Sequence, residues 1–221
     1  MPDFVPPIVV EALPVLIRGA EATIFYAAGS VAIGFVIAVG VCAMRLSKSP
    51  LLFAAGTFYV SLLRGIPLLV QLLISYYCLP LVGVNISPML SALLTLAVCT
   101  AAYMAEILRG GFLGISPGQV EAAQMAGLRG WQILLYIEVP QAVRLTLPSL
   151  LNEVVNMVKA SSLISVVGVL DLTRAAQNVA SSTYQPLPVY LMAGAIYFVI
   201  TFSVARLGGV LERRLSLQGR R

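Results

Sequence analysis

The sequence predicts an all-α integral membrane protein, a single bundle of about five transmembrane helices. Of its 221 residues, 59% are hydrophobic and 10% are charged, whereas a soluble domain carries about a quarter charged residues. A helix needs about 20 apolar residues to cross a bilayer, and the chain contains about five such stretches. We therefore expect one membrane domain over residues 1–221. The net charge of +5 indicates membrane topology rather than nucleic acid binding, because the basic residues cluster at the ends of apolar runs.

The first span is expected at residues 20–44. Arg45 and Lys48 follow it at once, and basic residues mark the cytoplasmic side. Residues 1–18 start acidic rather than basic, so we expect no cleaved signal peptide and an N-terminus outside the cytoplasm. Small residues along the span would let another helix approach closely: Gly29, Gly34, Ala38 and Gly40.

The second apolar stretch, residues 51–79, is too long for one upright helix and is broken near residues 64–67. Pro67 cannot donate a backbone hydrogen bond and strains the preceding turn, and Gly65 loosens the same place. An arginine near the middle of a membrane faces a partner or a cavity. We therefore expect the break to lie beside a polar pathway.

Arg64 is a candidate substrate-binding residue, because its guanidinium can bind both oxygens of a carboxylate. Half-helix ends at a break also attract anions. Gln71 is a further candidate, through its side-chain amide. The alternative is a structural role for Arg64, in which it pairs with Glu106 or Glu153.

The third span is expected at residues 89–108, with Gly110-Gly111 closing it. Glu106 and Arg109 are interpreted as markers of the cytoplasmic boundary. Tyr103 is expected to be a core or interfacial tyrosine, and a place in the lining of a cavity is the alternative.

A cytoplasmic loop is predicted at residues 111–144, between the third and fourth spans. Within it, residues 121–128 have helical composition. Gly127 is placed to stop that helix, since glycine adopts the left-handed closing conformation without steric cost. Pro117 lies just before the helix, and Glu121 is expected in its first turn. Such a helical loop suggests a docking surface, and an ordinary surface loop is the alternative.

The fourth span, residues 145–159, carries a polar stripe. Asn152, Asn156 and Lys159 fall on one face of a helix, with Glu153 beside them. A polar stripe within a membrane faces the bundle interior or a water-filled cavity. Arg64 and Glu153 together would suit a zwitterion, with its carboxylate at the arginine and its ammonium at the glutamate. A structural ion network is the alternative.

The remaining chain is expected to hold a short polar helix and a last span. Asp171 can cap a helix that contains Arg174 and Gln177, within a segment, residues 160–186, too polar to cross the membrane. The last span is predicted at residues 189–207. Basic residues then place the C-terminus inside: Arg206, Arg213, Arg214, Arg220 and Arg221.

The sequence shows no recognisable catalytic site. The chain has no histidine, which removes the commonest general base and metal ligand. It has no GxxxxGK[ST] phosphate loop, so we do not expect it to bind ATP. Cys42, Cys78 and Cys99 are interpreted as small buried hydrophobes. We expect a non-catalytic protein with no metal and no cofactor of its own.

The loop carries a recognisable pattern: Glu121-Ala122-Ala123, then Gly127, Ile137 and Val139-Pro140. This resembles the EAA loop of bacterial ABC importer permeases, although Val139 stands where leucine is usual. The flanking segments are similar to the subfamily for polar amino acids, the histidine, glutamine and arginine permeases. These segments are residues 59–71, 152–153, 159–163 and 211–215.

The resemblance implies a type I ABC importer permease fold in the bacterial inner membrane. It implies that Glu121, Ala122, Ala123, Gly127 and Pro140 couple the permease to a separate ATPase subunit, which binds the ATP. It further implies a second permease copy or paralogue and a solute-binding protein outside.

The solute would be a polar amino acid or a relative such as an opine, betaine or ectoine. The candidate substrate contacts are Arg64, Gln71, Glu153, Asn156 and Lys159. The alternative function is a self-contained secondary carrier or channel that uses Arg64, Glu153 and Lys159 as an ion relay.

Overall fold

The computed structural model describes residues 7–217, and every regular element in that range is helical. The α-helices in chain order are α1 Pro7–Leu46, α2 Pro50–Gly65, α3 Leu68–Leu73, α4 Pro88–Leu113, α5 Pro117–Met125, α6 Gly130–Ile133, α7 Val139–Ala160, α8 Leu172–Thr183 and α9 Pro186–Leu217. Wide π-helical turns occupy Ile74–Cys78 and Leu134–Glu138, and 3-10 turns occupy Pro80–Val82 and Ser161–Val167. Of the residues used to predict the topology, those at 1–6 and at 220–221 lie outside this range.

Four segments are long and apolar enough to cross a membrane: Glu11–Leu46, Pro88–Leu113, Gly130–Val167 and Pro186–Val210. A fifth forms if α2 and Leu68–Val82 are taken together, and these two are bent by 101°. The prediction of an all-helical bundle with about five spans is confirmed.

Several predicted boundaries differ from the observed ones. The first span begins well before residue 20, and α4 continues through Gly110-Gly111 to Leu113. The predicted loop 111–144 is too long, because the next apolar segment already starts at Gly130. The exposed rings of Trp131 and Tyr136 lie 6.2 Å apart at this start, and such aromatic pairs are typical of a membrane–water boundary.

The centre of the bundle is the crossing of α1 and α4. Ala97 and Ala101 of α4 are fully buried, as is Ala38 of α1. A side chain at Gly34 would lie only 2.8 Å from the carbonyl oxygen of Ala97. The close approach predicted for Gly34 and Ala38 is therefore present, whereas Gly40 faces open space.

The short polar helix α8 is held at its start by Asp171. The Asp171 carboxylate accepts hydrogen bonds from the backbone N–H of Thr173 at 3.1 Å and of Arg174 at 2.8 Å. The predicted cap is present, and it is completely buried. The Tyr197 hydroxyl of α9 donates to the same carboxylate at 3.2 Å, and Thr23 of α1 accepts from the backbone N–H of Leu172. Asp171 thus links α8 to α9, and Leu172 links α8 to α1.

Candidate substrate cavity and coupling surface

The chain breaks between α2 and α3 at Ile66 and Pro67. Ile66 adopts an extended conformation, with ψ of 131°, because a residue that precedes proline is driven out of the helical region. The break was predicted from Gly65 and Pro67. Its consequence is that the carbonyl groups at the end of α2 lose their helical partners.

Gln71 supplies the missing donors. Its side-chain nitrogen donates to the carbonyl oxygen of Leu63 at 2.7 Å and to that of Ile66 at 2.8 Å. The side chain is 8% exposed and does not line the cavity described next. The expected amide contact to substrate is therefore not supported. Gln71 closes the end of the broken helix, because unsatisfied carbonyl groups are costly in an apolar medium.

A cavity of about 450 Å³ opens directly at the break. It is formed by three parts of the chain that are far apart in sequence. It is lined by Arg64, Gly65, Ile66, Pro67 and Leu68 at the break, by Cys99 and Tyr103 of α4, and by Glu153, Asn156, Met157 and Ala160 of α7.

Arg64 lies at the mouth of this cavity with its guanidinium over the ring of Tyr103. The Cζ atom is 5.3 Å from the ring centroid, within the range of a cation–π interaction. Tyr103 lines the cavity, which was the alternative to its expected place in the core or at an interface. Tyr103 follows Cys99 by four residues on α4, so the two side chains lie on one face of the helix. This spacing is the sequence signal that could have placed both in the cavity lining.

Three of the five predicted substrate contacts meet in this cavity: Arg64, Glu153 and Asn156. Lys159 lies on α7 but is exposed and is not among the lining residues. Asn152, Asn156 and Lys159 are all exposed, as a shared face of α7 predicts, but of the three only Asn156 lines the cavity. The substrate contact expected of Lys159 stays a prediction.

The structural alternative for Arg64, a pair with Glu106, is not found. Glu106 is bound by Arg45 of α1 and by Arg109 one turn further along α4. Among the side chains that the structure describes, these are the ion pairs. Glu106 and Arg109 therefore do more than mark a boundary, since with Arg45 they tie α1 to α4.

The EAA segment forms α5 followed by a tight left-handed turn. Gly127 has φ of +78°, as predicted for a helix-closing glycine. The N–H of Gly127 donates to the carbonyl of Gln124 at 2.9 Å, and the N–H of Leu128 donates to that of Ala123 at 3.1 Å. This pair of bonds is the Schellman motif.

The predicted coupling residues divide into an outer and an inner set. Glu121 and Ala122 are exposed, and Met125 is 90% exposed beside them. Ala123 is buried. The expectation of Glu121 in the first turn was wrong, because α5 already begins at Pro117.

Pro140 lies outside this turn, near the start of α7. The two segments are joined by a hydrogen bond of 2.5 Å from the Gln141 amide to Gln119.

The expectation of three buried cysteines was wrong in one case, because Cys78 is exposed.

This architecture defines a helical membrane transport subunit, with a polar cavity beside a broken span and a short helix exposed outside the membrane segments. Residues 30–217 match the family described as binding-protein-dependent transport system inner membrane component. The chain belongs to this family and is a permease subunit of the ABC type.

Two relatives are opine permeases. One is a nopaline transport system permease protein of Agrobacterium fabrum, 40% identical over 90% of this chain and 87% of that protein. The other is an octopine transport system permease protein of Rhizobium radiobacter, 41% identical over 89% of this chain and 84% of that protein. The fold matches the crystal structure of an amino acid ABC transporter with histidines, with a TM-score of 0.89 and 36% identity over 93% of this chain and 96% of that chain.

Proposed function

We propose that this permease imports an amino acid or an amino-acid conjugate of the opine type, with the solute passing the cavity beside Arg64. The observation that carries the proposal is the meeting of Arg64 and Glu153 in one cavity. The relatives that carry nopaline and octopine, together with the likeness to an amino acid transporter, support the class of solute.

The cavity offers complementary groups for a zwitterion. Arg64 would bind the carboxylate, since its planar fork matches two oxygens, and Glu153 would bind the ammonium. Asn156 would add an amide contact. A volume of about 450 Å³ lies within the usual range for small-molecule sites. These contacts recognise groups that all amino acids share, so the side chain of the solute would be selected elsewhere.

The chain would couple to a separate ATPase subunit through α5. An exposed helix carrying Glu121, Ala122 and the projecting Met125 suits insertion into a groove on a partner, since exposed apolar side chains with a polar rim are typical of interfaces. The partner would bind and hydrolyse the ATP, and the permease itself would need no cofactor and perform no catalysis.

The orientation that fits this coupling has α5 on the cytoplasmic side, the N-terminus outside and the C-terminus inside. Basic residues near the same ends of the spans support it: Arg45, Lys48, Arg109 and Arg129. A second permease copy or paralogue would complete the pathway, and a solute-binding protein would deliver the solute from outside. Closure of the ATPases would draw the two coupling helices together and turn the cavity outward.

The first experiment is purification from the native membrane in mild detergent, with mass spectrometry of the co-purifying chains. An ATPase is expected with the permease, and the presence or absence of a second permease gives the dimer type. The complex is then placed in liposomes with its binding protein, and ATP-driven uptake of octopine, nopaline, L-glutamine and L-histidine is measured.

Glu153→Ala is expected to weaken uptake of the transported solute. A Glu153→Ala variant with wild-type affinity would remove Glu153 from the site. A permease that carries solute without ATP, and fails with an uncoupler, would instead favour the secondary carrier. That rival has less support, because Lys159 of its proposed relay does not line the cavity.

The coupling role of α5 is tested at Gly127. Gly127→Arg is expected to abolish ATP-driven uptake while the protein still reaches the membrane. Gly127→Asn is the matched control, because asparagine tolerates the left-handed conformation and adds little bulk. Normal uptake by Gly127→Arg would refute the coupling assignment.

A further inference from the structure

Tyr103 is the aromatic residue that contacts the proposed carboxylate receptor. We propose that Tyr103 is a positioning residue that holds the Arg64 guanidinium at the cavity, charged and available for the carboxylate of the solute. The inference rests on the proposed function, because it gives Arg64 the role of carboxylate receptor.

The geometry places the two side chains against each other across the break. Arg64 is the second-last residue of α2, and Tyr103 lies in the middle of α4. The guanidinium lies over the ring, 5.3 Å from its centroid. Both residues line the same cavity, so the contact holds the guanidinium at the place where a solute would bind.

The neighbouring carboxylates leave Arg64 available. Glu106 lies one helical turn from Tyr103, but its oxygens are bound by Arg45 and Arg109. Glu153 lines the same cavity as Arg64, and the two form no ion pair within the part of the chain that the structure describes. The guanidinium is therefore held by an aromatic ring and not by a carboxylate, which would have neutralised its charge.

A ring face is a suitable holder for a receptor cation. It attracts the positive charge through its quadrupole and offers no carboxylate lone pairs to occupy the N–H donors. Arginine is long and loses rotamer freedom when it binds a ligand. A side chain that is already held in place loses less of that freedom, so the contact should improve affinity for the solute. The Tyr103 hydroxyl has no protein partner among the described residues, so the ring alone carries this role.

The test compares Tyr103→Phe with Tyr103→Leu in the complete complex in liposomes, with octopine, nopaline, L-glutamine and L-histidine as probes. Tyr103→Phe keeps the ring and is expected to keep the KM of the wild type. Tyr103→Leu removes the ring and is expected to raise KM by roughly 3- to 30-fold with little change in maximal rate.

Competition with amide analogues separates positioning from general damage to the cavity. L-glutamine and L-histidine compete for uptake through their carboxylates, whereas L-glutaminamide and L-histidinamide lack that group. Tyr103→Leu should weaken competition by the amino acids and leave competition by the amides nearly unchanged. Equal weakening of both, or equal effects of Phe and Leu, would overturn the proposal.

Arg64→Gln distinguishes the two levels of failure. One outcome is that Arg64→Gln raises KM, whereas Tyr103→Leu has a normal melting temperature and an unchanged KM. In that case the positioning role is wrong and the proposed site stands. If Arg64→Gln leaves uptake of every probe unchanged, or if none of the four probes is transported, the proposed function fails and the role of Tyr103 fails with it.

Discussion

The side-chain nitrogen of Gln71 lies 2.7 Å from the carbonyl oxygen of Leu63, across the break between α2 and α3. The same nitrogen donates to Ile66 at 2.8 Å. One buried amide thus satisfies two carbonyl groups that the break has freed. The shape of the cavity depends on a residue that does not itself line it.

Gln71→Leu is therefore expected to destabilise the protein. It leaves two partly buried carbonyl oxygens without donors, and the loss of each such hydrogen bond costs about 0.5–1.5 kcal/mol. The matched control is Gln185→Leu, because Gln185 is exposed between α8 and α9 and makes no hydrogen bond within the described residues. Thermal unfolding in detergent should show a lower melting temperature for Gln71→Leu only. Equal melting temperatures for the two variants would mean that the hydrogen bonds at the break contribute little.

Gly111 and Gly110 form a second matched pair. A methyl group at Gly111 would press on the side chain of Thr146 and lie 2.9 Å from the carbonyl oxygen of Ala142, whereas one at Gly110 meets open space. Gly111→Ala should separate α4 from α7 and cost about 1–3 kcal/mol of stability. Gly110→Ala should be neutral or slightly stabilising. The free energy of unfolding of each variant measures this, and a neutral Gly111→Ala would contradict the packing.

Glu106 is expected to be more important for stability than an exposed glutamate. Glu106→Gln leaves Arg45 and Arg109 without their carboxylate, and loss of one partner from a partly buried charge network costs about 1–3 kcal/mol. Glu121→Gln is the control, since Glu121 is exposed on α5. A melting temperature lowered by the first change and not by the second is expected. The effect of Glu106→Gln should persist at high salt, because buried charges are screened less than exposed ones.

Asp171 is expected to give the folded protein a dependence on pH. Burial raises the pKa of the Asp171 carboxyl above its usual range, and the backbone N–H groups of Arg174 and Thr173 partly offset this. The folded pKa is then higher than the unfolded value of about 3.9. The contribution to stability is therefore fully present below the unfolded pKa and is lost as pH rises through the folded pKa.

The comparison of the wild type with Asp171→Asn isolates this effect. Asparagine does not titrate and keeps one oxygen, which can accept the capping hydrogen bond from the N–H of Arg174. The melting temperature of the wild type relative to Asp171→Asn should fall as pH rises from about 4 through the folded pKa. Asp171→Ala should be about 1 kcal/mol less stable than Asp171→Asn at every pH, because it removes the cap. A constant difference between wild type and Asp171→Asn would show that the carboxyl does not titrate as expected.

Features governed by nearest neighbours in the chain could be predicted from the sequence. The break at Pro67 and the left-handed turn at Gly127 follow from the allowed conformations of proline and glycine. The cap at Asp171 follows from the preference of a short acidic side chain for free N–H groups. Helix ends were less predictable where tertiary packing overrides local signals. The two glycines at 110–111 were expected to end the third span, but α4 continues to Leu113, and Gly111 packs closely against Ala142 and Thr146 of α7.

By itself, the sequence determined the membrane class, the position of the broken span and the EAA segment with its closing glycine. Only the tertiary structure decided which side chains share the cavity. It brought Arg64 to Tyr103, directed Glu106 to two other arginines, left Lys159 out of the cavity lining and assigned Gln71 to the break. The reason is that these contacts join residues of different helices, and they depend on how each helix is rotated and placed, which no local pattern of residues specifies.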